Sequence, residues 1–172
     1  DFCLSRGLGD VYKRQDKGGY WIDTDIVCLK PFNFSEPFIF CSEEVLPLNQ
    51  GNMHVGSCLI KAPKGNILTK SAFEKCMSKK AAELVWGEIG PKLVKEMVEK
   101  YNMQSFVKPP EWFCPIPGIA WDAYIDSSAS INFGENTHAV HLWNEMWRRA
   151  GVDKNQDFHP NCLYEKLKRT YL

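Results

Sequence analysis

Segments rich in β-forming residues alternate along this chain with segments of helical periodicity, and this alternation limits the fold more than any other feature. Tyr20–Leu29 is a run of aromatic and branched residues that predicts a strand, and Pro37–Cys41 and Gly56–Ala62 predict two shorter ones. Apolar residues recur at helical spacing after Asn66 and again after Pro91. Alternating strands and helices are typical of the α/β class, which we therefore predict.

The predicted helices carry start signals. Asn66 follows a Pro-Lys-Gly turn and is expected to be an N-cap, and Pro91 lies at a first-turn position. The expected inward faces are Ile67, Leu68, Phe73, Cys76 and Met77 in the first helix, and Leu93, Val94, Met97, Val98 and Tyr101 in the second. We also predict a helix over Asn161–Leu172 and extended segments over Glu111–Pro117 and Ala139–Trp143. The sequence shows no linker, so we predict one domain over residues 18–172.

Residues 1–17 do not continue this pattern. The segment Ser5–Gln15 has neither helical nor strand periodicity, and it resembles a translated adapter sequence. A polar N-terminal loop of the protein is the alternative. We predict a non-native or disordered stub over residues 1–17, and under either interpretation we expect no function there.

Composition excludes several classes of protein. The formal net charge is zero, so no basic surface suggests a nucleic acid as partner. The apolar stretches are short and are interrupted by charged residues or proline, so none predicts a membrane span. The seven cysteines form no C-x-x-C pair. That pattern favours free, buried thiols in a reducing compartment over a lumenal protein with disulfides.

Two aspartates lie within the first predicted strand. Asp23 and Asp25 occupy positions i and i+2, so their side chains are expected on one face. Two carboxylates at such a short distance repel each other unless a cation or a shared proton compensates their negative charge. Oxygen ligands suit Mg²⁺ or Mn²⁺, which keep positions open for phosphate oxygens. The pair therefore predicts a divalent-cation site, and paired surface acids are the alternative.

The residues around this pair resemble a known signature. The run Gly18-Gly19-Tyr20-Trp21-Ile22-Asp23-Thr24-Asp25 is similar to the Gly-Gly-x-Tyr-x-Asp-x-Asp motif of DXD sugar transferases, with one spacer residue missing before Tyr20. The families are glycosyltransferase family 32 and the related α-1,4-glycosyltransferases. Further blocks resemble theirs in the same order: Gly90-Pro91, Pro109–Ile116, and His138–Trp147 with its His-Leu-Trp-Asn. The resemblance runs from Gly18 to about Arg149.

This resemblance implies a GT-A-like nucleotide-diphospho-sugar transferase fold with a Rossmann-like mixed sheet, and transfer with retention of configuration. It implies that Asp23 faces the donor ribose and the metal, and that Asp25 is the stronger metal ligand. It also implies that His141 approaches the metal or the diphosphate. The implied donor-binding residues are Gly18, Gly19, Tyr20, Asn144 and Trp147. The implied cofactors are Mn²⁺ or Mg²⁺, with a UDP- or GDP-sugar as donor.

Several residues also have a structural interpretation. A lone histidine in an apolar strand, such as His141, is often a core residue, although the motif favours a functional one. Trp143 and Trp147 could stack on the base or sugar or could pack in the core, and core packing is the expectation for Trp143. The remaining candidates are the acids Asp122 and Asp126 near the acceptor, and the loop residues Asn49, Asn52 and His54 for sugar hydroxyls.

The sequence thus predicts a metal-dependent glycosyltransferase that moves a hexose onto a hydroxyl of a saccharide or lipid-linked acceptor. A non-catalytic carbohydrate- or metal-binding module on the same scaffold is the alternative. Family members carry a long nucleotide-binding region before the DXD strand, so we expect the chain to be incomplete at its N-terminus. The expected location is the cytoplasm or the cytoplasmic face of a membrane, reached through regions outside this chain, or the Golgi lumen in a eukaryote.

Overall fold

The computed structural model of the chain describes residues 16–47, 53–85 and 87–171. The chain divides into two compact units. The first comprises the described residues up to Asp23 together with Asn33–Pro110, and the second comprises Thr24–Phe32 with Glu111–Leu172. The described residues of each unit include a small antiparallel sheet and a hydrophobic core.

Five strands and four α-helices have both ends within the described residues. The strands are β1 (Gly19–Ile22), β2 (Ile26–Cys28), β3 (Ile39–Glu44), β4 (Met53–Ala62) and β5 (Ala139–His141). The helices are α1 (Ile67–Met77), α2 (Pro91–Lys100), α3 (Asn144–Arg149) and α4 (Leu163–Tyr171). Short 3-10 helices cover Ala81–Glu83, Gln104–Phe106, Pro110–Trp112 and Gly118–Tyr124.

The first unit is a sheet covered by two helices. Its strand order is β1-β4-β3, with Trp21 and Phe40 both opposite Ile60 on the central strand. The pairing of β3 with β4 shifts register between Phe40 and Ser42. The core joins sheet residues to apolar residues of α1 and α2, namely Phe40, Ile60, Leu68, Ala72, Cys76, Leu93, Met97 and Val98. Burial of these side chains is the main stabilising contribution in this unit.

Both predicted helices of this unit are confirmed, and the N-cap is confirmed at Asn66. The Asn66 side chain accepts a hydrogen bond from the Thr69 N–H at 3.0 Å. The predicted face of α1 was wrong at both ends, because Ile67 and Met77 are more than half exposed. The buried residues of α1 are Leu68, Thr69, Ala72 and Cys76. Leu68, Ala72 and Cys76 are spaced four positions apart, so they lie on one face of the helix, whereas Ile67 and Met77 fall outside that face.

The second unit has a short sheet and an aromatic core. Strand β2 pairs with β5, with Ile26 opposite His141. The buried core residues are Ile116, Tyr124, Val140, Trp147 and Leu167, and partly buried aromatic residues surround them. The rings of Trp121, Phe158 and Tyr164 lie 4.8–5.8 Å from that of Trp147. The C-terminal helix was predicted, and it is observed as α4.

Two predicted extended segments were wrong. The strand predicted over Tyr20–Leu29 is two strands, because Asp23–Asp25 leaves the ladder and contains a turn before β2. Aspartate and threonine favour turns by bonding to nearby backbone, which the apolar flanks concealed. The segment predicted extended over Glu111–Pro117 begins in the 3-10 helix Pro110–Trp112. Proline at the start of a helical turn is compatible with that geometry.

The mixed α/β class is confirmed, with small sheets whose strands pair antiparallel. The only parallel pairing among the described residues is a single bridge between Phe40 and Val107. The Rossmann-like GT-A sheet and the domain limits 18–172 therefore stay predictions. The six cysteines within the described ranges carry thiols, and all of them except Cys28 are buried. None of the helices described is long and apolar enough to cross a membrane.

Candidate active site

Asp25 and His141 are placed side by side by the short sheet of the second unit. Asp25 directly precedes β2, and His141 ends β5. The antiparallel pairing sets Ile26 opposite His141, and it continues one step further through the Leu142 N–H, which donates to the Asp25 carbonyl at 2.8 Å. Both side chains therefore lie where the two strands end.

The Asp25 carboxylate is held by two donors. Its Oδ2 lies 3.3 Å from His141 Nε2, and it accepts a hydrogen bond of 2.9 Å from the Asn144 backbone N–H. The Asp25 side chain is 14% exposed and the His141 side chain 11%. Burial raises the pKa of the Asp25 carboxyl, but the hydrogen bond and charge of His141 and the Asn144 N–H outweigh it. The pKa is therefore lower than usual, and the carboxylate is ionised at neutral pH.

Trp143 turns the chain so that the Asn144 N–H reaches Asp25. Its backbone adopts the left-handed conformation, with φ 55° and ψ 49°, immediately before α3. A residue with a Cβ pays about 1–2 kcal/mol for that conformation. Strain of this kind persists only where surrounding contacts fix it, and it is concentrated at functional sites. The tight turn at Trp143 is thus part of the site.

The Trp143 side chain packs against His141. Its ring centroid lies 3.9 Å from that of His141, and its indole N–H donates to the Ile116 carbonyl at 2.8 Å. A Cβ on Gly118 would lie only 3.2 Å from the Trp143 ring, so a glycine leaves the space that the ring needs. The ring is fixed by these contacts, which agrees with the packing role predicted for it.

Two further aromatic donors bind carbonyls next to the site. Tyr124 donates its hydroxyl to the His141 carbonyl at 2.9 Å, and Trp147 donates its indole N–H to the Leu142 carbonyl at 2.6 Å. Both side chains are completely buried. Hydroxyl and indole groups thus take the place of a sheet ladder where β5 ends. Burial raises the pKa of Tyr124 far above its usual value, so the hydroxyl keeps its proton.

Asp25 and His141 have the chemistry and spacing of two neighbouring ligands of one divalent cation. Ligands about 2.1 Å from a metal in octahedral geometry are about 3 Å apart when adjacent, close to the 3.3 Å between Oδ2 and Nε2. The second ring nitrogen of His141, Nδ1, is buried and makes no hydrogen bond to the described residues.

Asn144 links this pair to a lysine that the sequence did not single out. While its backbone N–H holds Asp25, its side-chain oxygen accepts a hydrogen bond from Lys154 Nζ. Lys154 follows α3, whose last residue is Arg149 and whose C-terminal turn contains Gly151 with φ 69°. The N–H of Gly151 bonds to the Arg148 carbonyl, and that of Val152 to the Trp147 carbonyl. These are the two bonds of a Schellman motif. Gly151 could have indicated this helix end from the sequence, but it does not predict the contact between Lys154 and Asn144.

The residues of the DXD-like motif up to Asp23 belong to the first unit. Asp23 follows β1, and its backbone N–H donates to the Cys58 carbonyl at 2.8 Å. Tyr20 pairs with Lys61 across the sheet, and the Lys61 ammonium lies 5.3 Å from the centre of its ring. A Cβ on Gly18 would lie 2.4 Å from the Lys64 nitrogen. The close approach that this glycine permits is therefore to the protein's own backbone.

The remaining candidates have ordinary surroundings. Trp147 has no exposed surface, so it is a core residue here. Asp122 and Asp126 are exposed, and Asp126 accepts hydrogen bonds from the backbone and hydroxyl of Ser128. His54 is exposed on β4. Asn49 and Asn52 lie outside the described residues. None of these positions provides evidence for a contact with a sugar.

Comparison with known proteins identifies the family. A family model described as the alpha 1,4-glycosyltransferase conserved region matches residues 64–171, which is more than half of the chain. The matched range contains His141, Asn144 and Lys154, whereas Asp23 and Asp25 precede it. A search among curated proteins found no match. The predicted resemblance is confirmed: the chain belongs to the α-1,4-glycosyltransferase family and is a glycosyltransferase.

Proposed function

We propose that this chain transfers a hexose from a nucleotide-diphosphate sugar to a hydroxyl of a saccharide or lipid-linked acceptor, with the help of a divalent cation. The observation that carries the proposal is the buried contact between Asp25 and His141, 3.3 Å apart at the ends of two paired strands. The family supports glycosyl transfer and a nucleotide-sugar donor. The cation and its ligands are inferred from the donor set.

Asp25 and His141 would be ligands of the cation. A role of Asp23 as a further ligand rests on the family resemblance and belongs to the proposal. Carboxylate oxygens suit both Mg²⁺ and Mn²⁺, whereas an imidazole nitrogen is unusual for Mg²⁺. The mixed donor set therefore favours Mn²⁺. When bound, such an ion offsets the negative charge that develops on a departing nucleoside diphosphate.

The chain's own residues would keep this site in place before the donor arrives. The Asn144 N–H fixes one oxygen of Asp25, and Tyr124 fixes the backbone of His141. The Trp143 ring limits the movement of the imidazole. Because these groups are already ordered, little conformational entropy is lost when the donor binds. Retention of anomeric configuration and a UDP or GDP carrier rest on the family resemblance and belong to the proposal.

Asp25→Asn tests the proposal with the least change in shape. The amide keeps the size of the carboxylate but loses its charge and one acceptor oxygen. We expect a loss of at least about a hundredfold in transfer from UDP- or GDP-hexose in the presence of Mn²⁺. The matched control is Asp157→Asn, which changes an exposed acid of the same unit and should leave the rate unchanged.

Transfer at an undiminished rate by Asp25→Asn would refute the role of this carboxylate. A second outcome is also decisive. If the chain binds glycans in the absence of nucleotide and shows no Mn²⁺-dependent donor turnover, it acts as a binding module on a transferase scaffold. That result would contradict the proposed catalytic function of this chain.

A further inference from the structure

Lys154 is a half-buried cation beside the candidate site. It lies in the loop between α3 and α4, where the Asp153 side chain accepts a hydrogen bond from the Asn155 N–H at 2.9 Å. This local turn fixes the backbone around the lysine. The ammonium donates to the side-chain oxygen of Asn144, the residue whose backbone N–H holds Asp25. One asparagine therefore separates this positive charge from the proposed cation ligand.

The charge of Lys154 has no anionic partner within the described part of the chain. Two cationic side chains of the second unit are half-buried, Lys154 and Lys168. Lys168 forms an ion pair with Glu165 at 2.6 Å, whereas Lys154 has only the neutral amide of Asn144. A partly desolvated ammonium loses hydration without a compensating charge, so an anion that reaches it is bound favourably.

We propose that Lys154 binds the diphosphate of the sugar donor, an inference that rests on the proposed function of the neighbouring site. The ammonium would exchange the amide oxygen of Asn144 for a phosphate oxygen, which is charged and therefore the stronger acceptor. A lysine suits this task because its three N–H donors on a flexible stem follow a phosphate as a point charge. Asn144 is then a resting partner that keeps the ammonium in place while no donor is bound.

Inorganic pyrophosphate with Mn²⁺ is the sharpest probe, because it presents the diphosphate without a base or a sugar. Its affinity is to be measured by calorimetry on the whole chain for wild type, Lys154→Met, Lys154→Gln and Lys154→Arg. A lost charged hydrogen bond weakens binding by roughly tenfold or more. We expect that loss for the Met and Gln variants and a loss of only a few fold for Arg. Lys166→Met, which removes an exposed lysine of the same unit, is the matched control.

The glutamine variant separates charge from positioning. Its side chain still offers an N–H to Asn144 but carries no charge, so a lysine that merely orients Asn144 would be largely replaced by it. The affinity for Mn²⁺ alone should be the same in wild type and in all Lys154 variants. Raising the salt concentration should weaken pyrophosphate binding in wild type more than in Lys154→Gln.

The outcomes are distinct. The proposal is overturned if Lys154→Met binds pyrophosphate as tightly as Lys166→Met does, if glutamine restores binding, or if Mn²⁺ affinity falls equally without pyrophosphate. Absence of any Mn²⁺-dependent pyrophosphate binding in wild type overturns it as well. Asp25→Asn tests the proposed function separately: if it keeps this binding while Lys154→Met loses it, the role of Asp25 fails and that of Lys154 stands.

Discussion

The two units of this chain use their side chains differently. In the first, a three-stranded sheet and two helices enclose a mostly aliphatic core. In the second, the paired strands are three residues long, and Tyr124, Trp143 and Trp147 donate to main-chain carbonyls instead. The aromatic residues near the candidate site therefore have two roles: they pack in the core, and they donate hydrogen bonds to main-chain carbonyls. The site is therefore expected to be sensitive to changes that a sheet core would tolerate.

The largest expected effect compares one big core residue from each unit. Phe40→Ala and Trp147→Ala each remove a side chain with no exposed surface, and each should lower the free energy of unfolding by about 3–5 kcal/mol. Denaturant unfolding measures the loss. Trp147→Ala should also weaken Mn²⁺ binding, because the Leu142 carbonyl next to His141 loses its donor. Equal weakening by Phe40→Ala would remove the contrast between the units.

Tyr124→Phe should have the next largest effect. The substitution deletes only the hydroxyl, which leaves the buried His141 carbonyl without its donor and costs about 1–3 kcal/mol. We expect a small further loss of Mn²⁺ affinity, since His141 is less firmly held. Tyr101→Phe is a control from the first unit, where the hydroxyl bonds to Ser71 at 2.5 Å in a partly exposed position. A Tyr124→Phe protein as stable as wild type would contradict the structural role of this hydroxyl.

Gly118→Ala tests whether the packing of the Trp143 ring positions His141. The added methyl would lie 3.2 Å from the ring, so the ring or the 3-10 helix has to shift, at a cost of about 1–2 kcal/mol. The expected sign is a loss of stability together with a loss of Mn²⁺ affinity. Gly134→Ala is the matched control, since nothing lies within 4 Å of the added carbon. If both variants behave alike, the ring does not position the imidazole.

The smallest expected effect concerns the backbone of Trp143. Trp143→Ala and Trp143→Gly both remove the ring, but only glycine adopts φ 55° without steric strain. The glycine variant should therefore be more stable than the alanine variant by about 1 kcal/mol, in denaturant unfolding experiments. The reverse order would show that the left-handed turn is not retained once the ring is removed.

The regular parts of this molecule could be predicted from the sequence, and the irregular parts could not. Asn66 and Pro91 carry local signals, so both helices of the first unit were identified at their first residues. The turn at Asp23–Asp25 was missed, because branched and aromatic flanks outweighed three turn-forming residues. Helix α3 was also missed, although Glu145 near its start and Arg148 and Arg149 near its end are favourable for its dipole.

For the site, the sequence identified which residues matter better than how they are held. The resemblance singled out Asp25, His141 and Asn144, and the structure brings them together. The contact of the Asn144 backbone with Asp25 could not be predicted. It depends on the left-handed backbone conformation of Trp143, for which the sequence carries no signal. The contact between Lys154 and Asn144 joins a loop to the start of a helix, and no periodic pattern encodes such a contact.

The proposed cation site at Asp25 and His141 can be tested by measuring Mn²⁺ binding to wild type, Asp25→Asn and His141→Gln. Electron paramagnetic resonance of the free ion reports how much Mn²⁺ is bound. The proposed role of Asp25 and His141 predicts one site in wild type, a loss of at least about tenfold in affinity for each variant, and no change for the exposed-acid control Asp157→Asn. Equal Mn²⁺ affinity in wild type and Asp25→Asn would contradict it.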